Sequence, residues 1–574
     1  MIRIPYDINN YEKLINDGYY YVDRTNYIAL LETLGAPYIF LVRPRRFGKS
    51  LFLSTLQHYY GIEHKDKFQQ LFGKYYIGQH PTPLANSYLV LSLSFAGIQT
   101  DTTETTYQDF LRTVQFGVRA LMSNFPEWFN ADSIRQIAQL DSPTAVIQHL
   151  LQTIKTKAIP AKLYVLIDDY DLFAKELLAF DFSNFKNIAS KNGFVRKFYE
   201  ILKKGTHSGI IARMFITGVT PITLDSLTSG FNIASKLTTD VRFNELFGFT
   251  KEEVIAVLNG IGMPAEETPF ALQELAFWYN GYLFNADASE RIYNPDMILY
   301  FAKEYLANNK YPKDLLDTNI ASDYRKIRNL FKINDKEAEN LHLIQKLLSD
   351  GYTVAQLTRE FNFERAWTSD DLVSLLFYQG ILTIKDESLG EVIFEIPNAV
   401  IKQLYYQYLH QLTLEETQLS ERQVSTTKKV LELARHNNIQ PLMDLVQDII
   451  SHLATHDRAH FNELTFKAIF TSLFYTTQIF KIYSELEVRK SATEKGRLDL
   501  LLLERQPYHL PHQFVFELKY VNKKDIKKWA SIKKGGVAQL KEYLKHDEQL
   551  RKLPNLQAYV LLFSNKKVEA IAIQ

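Results

Sequence analysis

Residues 40–51 constrain the fold of this chain more than any other stretch. An apolar run at 38–42 predicts a buried strand, and a helical pattern follows at 51–60. The loop between them is short and basic, and it ends in Gly48-Lys49-Ser50. A helix that begins after such a loop presents unpaired N–H groups and the positive end of its dipole to phosphate. The stretch therefore predicts a site for a nucleoside triphosphate.

The residues expected to bind ATP in this loop are Arg45, Arg46, Phe47, Gly48, Lys49, Ser50 and Leu51. Lys49 would reach the terminal phosphates, and the Ser50 hydroxyl would bind Mg²⁺. The complete phosphate-loop pattern has a further glycine five residues before Gly48, but Arg43 occupies that position. The loop therefore needs support from the rest of the chain.

Carboxylates follow a second predicted strand. The apolar run at 163–167 is continuous, which is typical of a strand buried on both faces of a parallel sheet, and Asp168 and Asp169 come next. Ligands of α/β folds bind at the carboxyl ends of such strands. We expect Asp168 to hold Mg²⁺ beside Ser50, and Asp169 to activate the attacking water. Thr217, at the end of a third strand pattern, is expected to contact the terminal phosphate.

A separate group of charged residues lies in the last hundred residues. Asp499 falls in a strand pattern at 496–504, and Glu517 and Lys519 fall in the next one, at 513–520. Glu517 and Lys519 are two residues apart, so they point to the same face of their strand. Charges on an otherwise apolar strand are costly to bury unless they are used or paired. If the strands are neighbours, these residues predict Mg²⁺-assisted hydrolysis of a phosphodiester.

The motifs occur in the same order as in the bacterial AAA-ATPase-like family, which this chain resembles over most of its length. The matching segments are residues 21–25, 43–50, 166–171, 215–219 and 229–232. The resemblance implies an ATPase domain followed by a nuclease domain of the PD-(D/E)XK type. Arg43 in place of the first glycine is usual in this family. The family more often has Glu at the position of Asp169, whose shorter side chain favours nucleotide binding over hydrolysis.

The resemblance also assigns the nuclease motif, with Leu498 in place of its proline. It implies Glu487, or else Glu485, as the upstream acid, and it places Gln539 in the helix that follows the motif. The residues implied as catalytic are Asp169, Asp499, Glu517, Lys519 and Gln539. The residues implied as metal ligands are Ser50, Asp168, Glu487, Asp499 and Glu517.

A chain of 574 residues is too long for one hydrophobic core. The expected fold is α/β, with a P-loop NTPase core and parallel sheet at 1–240, a helical lid at 241–300, a helical and winged-helix-like connector at 301–460, and a restriction-endonuclease-like α/β domain at 461–574. The acidic turn of the winged-helix pattern favours a connector over a module that reads DNA. Residues 1–37 are either a helix packed beside the first strand or a flap near the nucleotide base, and the pattern favours the packed helix.

Composition narrows the classes of function. The formal net charge is +1, so any surface that attracts nucleic acid must be local. The absence of cysteine excludes disulfides, thiolate metal sites and cysteine nucleophiles. No apolar run has the length of a membrane span, and the first residues do not resemble a signal peptide, so the expected location is cytoplasmic. A homo-oligomer is a further expectation. Arg213 and Arg242 are available as an arginine finger, but the sequence does not place one.

Three functions fit these observations. The first is an ATP-binding ATPase coupled to a Mg²⁺-dependent nuclease that acts on DNA. The second is a nucleotide-dependent switch or scaffold whose nuclease fold binds nucleic acid without cutting it. The third is a nonenzymatic helical interaction protein in which both motifs are accidental, and the number and order of the motifs disfavour it.

Overall fold

The computed structural model describes residues 2–171, 193–222, 233–316, 337–361, 367–417, 425–456, 463–491, 494–564 and 567–573. The family-like segment at 229–232 lies outside these ranges. The chain divides into two compact units. The first comprises Met1–Lys303 and Val354–Pro397, and the second comprises Glu304–Thr353 and Asn398–Gln574.

The first unit is built around a five-stranded parallel sheet. Its strands are β1 (Tyr38–Val42), β2 (Tyr88–Ser94), β3 (Lys162–Asp168), β4 (Ile211–Gly218) and β5 (Ser235–Lys236). They lie in the order β2-β3-β4-β1-β5, so β4 separates the strand of the phosphate loop from the strand of the acid pair. The apolar residues in the middle of β3 are all buried, as the continuous run predicts.

The register of the central strands brings their carboxyl ends together. Val42 of β1 pairs with Gly218 of β4, and Ile167 of β3 pairs with Ile216 of β4. The loop after β1 and the acids after β3 therefore lie at one edge of the sheet. This is the edge at which parallel α/β sheets bind their ligands.

Most of the first unit outside this sheet is helical. The helices that lie in the first unit are Tyr11–Asn16, Asn26–Thr33, Lys49–Tyr60, Phe68–Phe72, Tyr76–Gln79, Thr103–Ser123, Ala131–Gln139, Pro143–Thr156, Phe194–His207, Lys251–Gly260, Thr268–Tyr279 and Ser369–Tyr378, and Pro295–Asn308 begins in it. Two short 3₁₀ helices are Ile62–Lys67 and Val241–Phe243. A capping box begins helix Lys251–Gly260, since the side chains of Thr250 and Glu253 each accept a hydrogen bond from the other's backbone N–H.

The predicted order of helix, strand, turn and strand is confirmed near residue 380. After β6 (Tyr352–Ala355), helix Ser369–Tyr378 precedes β7 (Thr383–Ser388) and β8 (Glu391–Glu395). The last two strands form an antiparallel hairpin. Leu389 and Gly390 connect them with positive φ angles of 54° and 85°, as a two-residue turn between twisted strands requires.

The second unit contains a mixed sheet in the order β13-β12-β11-β10-β9. Its strands are β9 (Phe480–Arg489), β10 (Lys495–Glu504), β11 (Gln513–Tyr520), β12 (Leu556–Phe563) and β13 (Val568–Ile573). Strands β11 and β12 are parallel, and the other neighbours are antiparallel. The helices of this unit are Glu337–Asp350, Ala399–Thr417, Thr426–His436, Gln440–His456, Glu463–Phe474, Trp529–His546 and Glu548–Lys552, with a 3₁₀ helix at Lys523–Lys528.

No helix within the described ranges combines the length and the apolar character that crossing a bilayer demands.

Candidate functional site

The phosphate loop joins β1 to helix Lys49–Tyr60. Gly48 caps the helix in the left-handed region, at φ 90°. A Cβ at this position would meet no atom within 4 Å, so glycine is favoured by the backbone conformation and not by lack of space. The helix therefore begins with free N–H groups at the edge of the sheet where the acids lie.

Lys49 is buried at the start of this helix, and its ammonium donates to the carbonyl of Pro44 at 3.0 Å. Burial lowers the pKa of Lys49, while the Asp169 and Asp168 carboxylates oppose that shift. Arg45 is close enough to lower the pKa further. The loop thus holds Lys49 near the acid pair by a backbone contact that a phosphate oxygen could replace.

The acid pair completes this cluster. The Ser50 hydroxyl donates a hydrogen bond to Asp168, and the backbone N–H of Asp169 donates to Asp168 Oδ1 at 3.0 Å. Burial and the neighbouring Asp169 carboxylate raise the pKa of Asp168 to about 6, although Ser50 and Lys49 oppose the rise. Asp169 has a φ of 46°, a left-handed conformation that aspartate tolerates better than most residues. The structure therefore brings together the predicted residues Lys49, Ser50, Asp168 and Asp169.

Thr217 is fully buried in β4, and its hydroxyl donates to the carbonyl of Leu41 at 2.6 Å. The side chain thus points along the sheet toward β1. The predicted contact with the terminal phosphate would require this hydroxyl to give up its bond to the strand.

The next two residues of the acid motif tie β3 to the segment after β4. The Asp171 carboxylate accepts hydrogen bonds from the backbone N–H groups of Val219 and Thr220, at 3.0 and 2.7 Å. The Tyr170 hydroxyl donates to the carbonyl of Thr220 at 2.6 Å. Asp171 is almost completely buried, and its carboxylate stabilises the backbone after β4.

Arg43, which replaces the first glycine of the loop, is part of the core. Its guanidinium donates to the carbonyls of Val42, Thr238 and Phe243, at 3.0, 2.7 and 2.7 Å. It also lies 4.1 Å from the ring centre of Phe284. Burial lowers the pKa of Arg43 to about 9. This position therefore anchors the loop to the segment that follows β5.

A cavity of about 330 Å³ opens beside the start of the loop helix. Six of the predicted nucleotide-binding residues, Arg46 to Leu51, line it, and Arg46 also donates to Asp296 at 2.8 Å. Residues from the N-terminal segment form much of the opposite wall: Pro5, Asp7, Ile8, Asn9, Leu14, Tyr20, Tyr21, Val22 and Arg24. Helix Tyr11–Asn16 buries Tyr11 and Leu14, as a packed helix would, and the N-terminal segment also lines the cavity, as a flap would, so both alternatives stay open.

The second group of predicted residues meets between β10 and β11. Leu500 pairs with Phe516, which brings Asp499 close to Glu517. Asp499 Oδ2 accepts a hydrogen bond from the backbone N–H of Leu518 at 2.6 Å, and Lys519 Nζ donates to Glu517 Oε1 at 2.6 Å. The predicted common face of Glu517 and Lys519 is therefore confirmed.

Glu517 has the properties of a ligand for a hard cation. It is 1% exposed, and its Oε2 atom has no hydrogen-bond partner among the described residues. Burial, followed by the nearby Asp499 charge, raises the pKa of Glu517 to about 7. A buried carboxylate oxygen without a partner, next to a second carboxylate, is a donor set that fits Mg²⁺.

Lys467 was missed by the sequence reasoning. It extends from helix Glu463–Phe474, and its Nζ lies 2.5 Å from Asp499 Oδ1 and 3.4 Å from Glu485 Oε1. Burial alone would lower the pKa of Lys467, but the charges of Asp499 and Glu485 raise it above its ordinary value. The available sequence signal was a single lysine in the otherwise apolar run at 466–470.

The structure brings Glu485, and not Glu487, next to Asp499. The pairs on either side are Leu498 with Leu486 and Leu500 with Ser484, so Asp499 lies opposite Glu485. Glu487 lies opposite Arg497, is 64% exposed, and pairs with Lys495. Because of this register, Glu485 lies closer to Asp499 than the predicted residue Glu487, and the proposed upstream acid is therefore the alternative, Glu485.

A small cavity borders this site and has a volume of about 20 Å³, enough for one water molecule. Lys467, Glu485 and Asp499 are among its lining residues. Gln539 donates to the Tyr543 hydroxyl at 2.7 Å, and that hydroxyl in turn donates to the carbonyl of Arg497 at 3.3 Å. Gln539 is therefore linked through Tyr543 to the backbone of β10, two residues before Asp499.

The two sites belong to two known classes of protein domain. A phosphate loop with an acid pair at the edge of a parallel sheet defines an ATPase-like domain, and acids with a lysine on paired strands define a nuclease-like one. Comparison with known families agrees. A family described as predicted AAA-ATPase matches residues 5–228, and the PD-(D/E)XK nuclease superfamily matches residues 461–572. The chain thus has an AAA-ATPase-like domain and a PD-(D/E)XK nuclease superfamily domain, the architecture that the sequence predicts.

Individual relatives add little about activity. An uncharacterized protein in the vnfD 5′ region of Azotobacter chroococcum mcd 1 is 26% identical over 539 residues, which cover 90% of this chain and 89% of that protein. Among solved structures, a Walker-type ATPase of Pyrococcus abyssi covers 70% of this chain and 96% of its own, with 14% identity and a TM-score of 0.34. A TM-score of this size does not establish a shared fold.

Proposed function

We propose that the first unit binds and hydrolyses ATP. The observation that carries this proposal is the cluster of Lys49, Ser50, Asp168 and Asp169 at one edge of the sheet. The N–H groups at the start of helix Lys49–Tyr60 and the Lys49 ammonium would hold the phosphates. Ser50 and Asp168 would hold Mg²⁺, which when bound neutralises charge on the phosphates. Asp169 would take a proton from the attacking water.

ATP binding and phosphate release by the purified chain test this proposal. Lys49→Ala removes the buried ammonium, so we expect ATP binding to be lost. Lys204→Ala is the matched control, because Lys204 is exposed on helix Phe194–His207 of the same unit. Equal ATP binding by both variants would overturn the assignment of the phosphate loop.

We also propose that the C-terminal domain hydrolyses phosphodiester bonds in DNA with Mg²⁺ as cofactor. The unpartnered Oε2 atom of buried Glu517, close to Asp499, is the observation that carries this proposal. Asp499, Glu517 and Glu485 would hold the metal, which when bound acts as a Lewis acid on the phosphate. Lys519 would orient the attacking water and offset phosphate charge, and the Tyr543-linked Gln539 would support this arrangement.

A substrate panel separates the possible nucleic acids. Single- and double-stranded DNA and RNA are incubated with the chain in Mg²⁺ or Mn²⁺, with and without ATP. Lys519→Ala should abolish cleavage, whereas Lys541→Ala, which removes an exposed lysine of helix Trp529–His546, should not. Unchanged cleavage by Lys519→Ala would falsify the assigned site. Faster cleavage with ATP would show that the two activities are coupled.

One observation favours a second function, in which the nuclease fold binds nucleic acid without cutting it and ATP sets the state of the chain. The Lys467 ammonium already pairs with Asp499, so a protein cation occupies part of the proposed metal site. Retained DNA in a gel-shift assay, together with intact DNA across a Mg²⁺ and Mn²⁺ series, would support this alternative.

We retain two further proposals. The four segments 1–240, 241–300, 301–460 and 461–574 are proposed as domains, and limited proteolysis tests whether cleavage falls at their limits. A homo-oligomer is also proposed, and sedimentation of the full chain tests it.

A further inference from the structure

A cluster of two histidines and a glutamate lies apart from both proposed sites. Glu12 belongs to helix Tyr11–Asn16, His58 to the last turn of helix Lys49–Tyr60, and His64 to the 3₁₀ helix that follows. One nitrogen from each imidazole and one carboxylate oxygen lie within 4.8 Å of one another. The three side chains come from three separate helices, so it is the tertiary fold that brings them close together.

His58 presents a lone pair to the centre of the cluster. Its Nδ1 is 2.7 Å from the carbonyl of Ser54, and since a carbonyl only accepts, Nδ1 must carry a proton. In the neutral imidazole Nε2 is then an acceptor, and it lies 3.4 Å from Glu12 Oε2. Two acceptors that face each other at this distance repel unless a proton or a cation lies between them. A carbonyl bonded to the far ring nitrogen is also what orients histidine ligands in known metal sites.

His64 adds two more nitrogens that lack partners. Neither Nδ1 nor Nε2 of His64 has a hydrogen-bond partner among the described residues, and both are buried. Its ring stacks on that of His58, with 4.2 Å between the ring centres. A buried imidazole nitrogen without a hydrogen-bond partner can bind a metal through its lone pair.

Neighbouring charges hold the carboxylates in place. Lys67 Nζ donates to Glu12 Oε1 at 2.6 Å, which leaves Oε2 directed toward His58. Glu63 Oε1 is 3.7 Å from His64 Nε2, and Glu63 Oε2 is buried without a partner among the described residues. Glu63 therefore lies beside the three-residue cluster, next to His64.

We propose that Glu12, His58 and His64 bind a divalent transition metal of the zinc type, with Glu63 or a water molecule as the fourth ligand. A donor set of two imidazoles and a carboxylate binds zinc in preference to magnesium. Tetrahedral zinc bonds of about 2.1 Å place ligand atoms roughly 3.4 Å apart, close to the His58–Glu12 distance. The metal would fasten helix Tyr11–Asn16 to helix Lys49–Tyr60, which begins at the phosphate loop.

The experiment measures zinc binding by the full chain after treatment with a chelator. Equilibrium dialysis is performed with excess Mg²⁺, so that carboxylate sites for hard cations are filled. The wild type should bind one more equivalent of zinc than either His64→Ala or Glu12→Gln. The visible absorption of bound Co²⁺ should show nitrogen ligation in the wild type and lose it in both variants. Zinc should raise the Tm of the wild type but not that of His64→Ala or Glu12→Gln, because a ligand that binds only the folded state stabilises it.

His80→Ala is the matched control, since His80 is an exposed histidine whose Nδ1 contacts only the carbonyl one turn earlier, at Tyr76, in the same unit. It should bind as much zinc as the wild type. Glu12→Gln keeps the size of the side chain, so it tests the site even if His64→Ala does not fold. Equal zinc binding by the wild type and Glu12→Gln, or no zinc binding by the wild type, would overturn the proposed metal site.

Discussion

The Lys467 ammonium lies 2.5 Å from the Asp499 carboxylate, one of the proposed metal ligands. We expect Lys467→Gln to lower the Mg²⁺ concentration needed for half-maximal cleavage, because this substitution removes a competing cation. The variant should also have a lower Tm, since the buried carboxylates lose their counter-ion. A Mg²⁺ titration of cleavage checks the first effect and a thermal melt the second. If Lys467→Gln cleaves at no Mg²⁺ concentration, Lys467 takes part in the reaction instead of opposing metal binding.

Asp169 and Asp171 allow a matched comparison in the ATPase domain. Asp169→Asn keeps the shape of the side chain and tolerates the left-handed backbone, but it loses the proposed base. We expect normal ATP binding and a fall in hydrolysis of roughly 10²- to 10⁴-fold. Asp171→Asn instead disturbs the bonds to Val219 and Thr220, so its main effect should be a lower Tm. Full hydrolysis by Asp169→Asn would remove Asp169 from the mechanism.

Arg43→Gly restores the glycine of the common phosphate-loop pattern, yet we expect it to destabilise the protein. Three backbone carbonyls would lose their charged donor, and the guanidinium would leave a void beside Phe284. The free energy of unfolding should fall by about 3 kcal/mol or more. Arg45→Gly is the control, because Arg45 is only half-buried. Urea unfolding of both variants measures the difference, and equal stability would contradict the anchoring role of Arg43.

Substitutions of Glu485 and Glu487 test whether the upstream acid is the residue that the strand register places beside Asp499 or the one that the sequence motif favours. Glu485→Gln should reduce cleavage at least roughly tenfold, as expected for a group at a metal site. Glu487→Gln should leave cleavage close to the wild-type rate, because Glu487 is exposed and pairs with Lys495. Initial rates at one Mg²⁺ concentration are sufficient for this comparison. The opposite order of effects would return the ligand role to Glu487.

Glu569 provides a prediction about pH. Hydrogen bonds from Lys533 and Trp529 lower the pKa of Glu569 to about 2. The pKa of an unfolded glutamate is about 4.3, so the stabilisation is present above that pH and is lost as the pH falls toward 2. Glu569→Gln should therefore lower the Tm at pH 7, and the difference from the wild type should shrink in acid. Melts across this pH range test it, with the exposed Glu548→Gln as control.

Local signals allowed much of this fold to be predicted. The strand ahead of the phosphate loop is confirmed as Tyr38–Val42, because an apolar run bounded by a basic loop is sufficient to define it. The shared face of Glu517 and Lys519 follows from the two-residue period of a strand.

Long-range contacts were not available to the same reasoning. Glu485 and Glu487 are two residues apart, and only the pairing of β9 with β10 decides which of them faces Asp499. Lys467 lies on helix Glu463–Phe474, which precedes both β9 and β10 in the chain. Nor does a sequence pattern show that Arg43 donates to carbonyls near residue 240, because that contact depends on how the chain returns beside β1 after β5.

The wall that residues 5–24 contribute to the larger cavity bears on how this protein is divided for study. A fragment that starts at β1 would keep the phosphate loop, the acid pair and every strand of the parallel sheet. It would nevertheless lack Tyr20, Tyr21 and Arg24, which border the cavity. If such a fragment bound nucleotide weakly, the loss of these lining residues would explain the result without any defect in the phosphate loop. An affinity tag is better placed away from these residues.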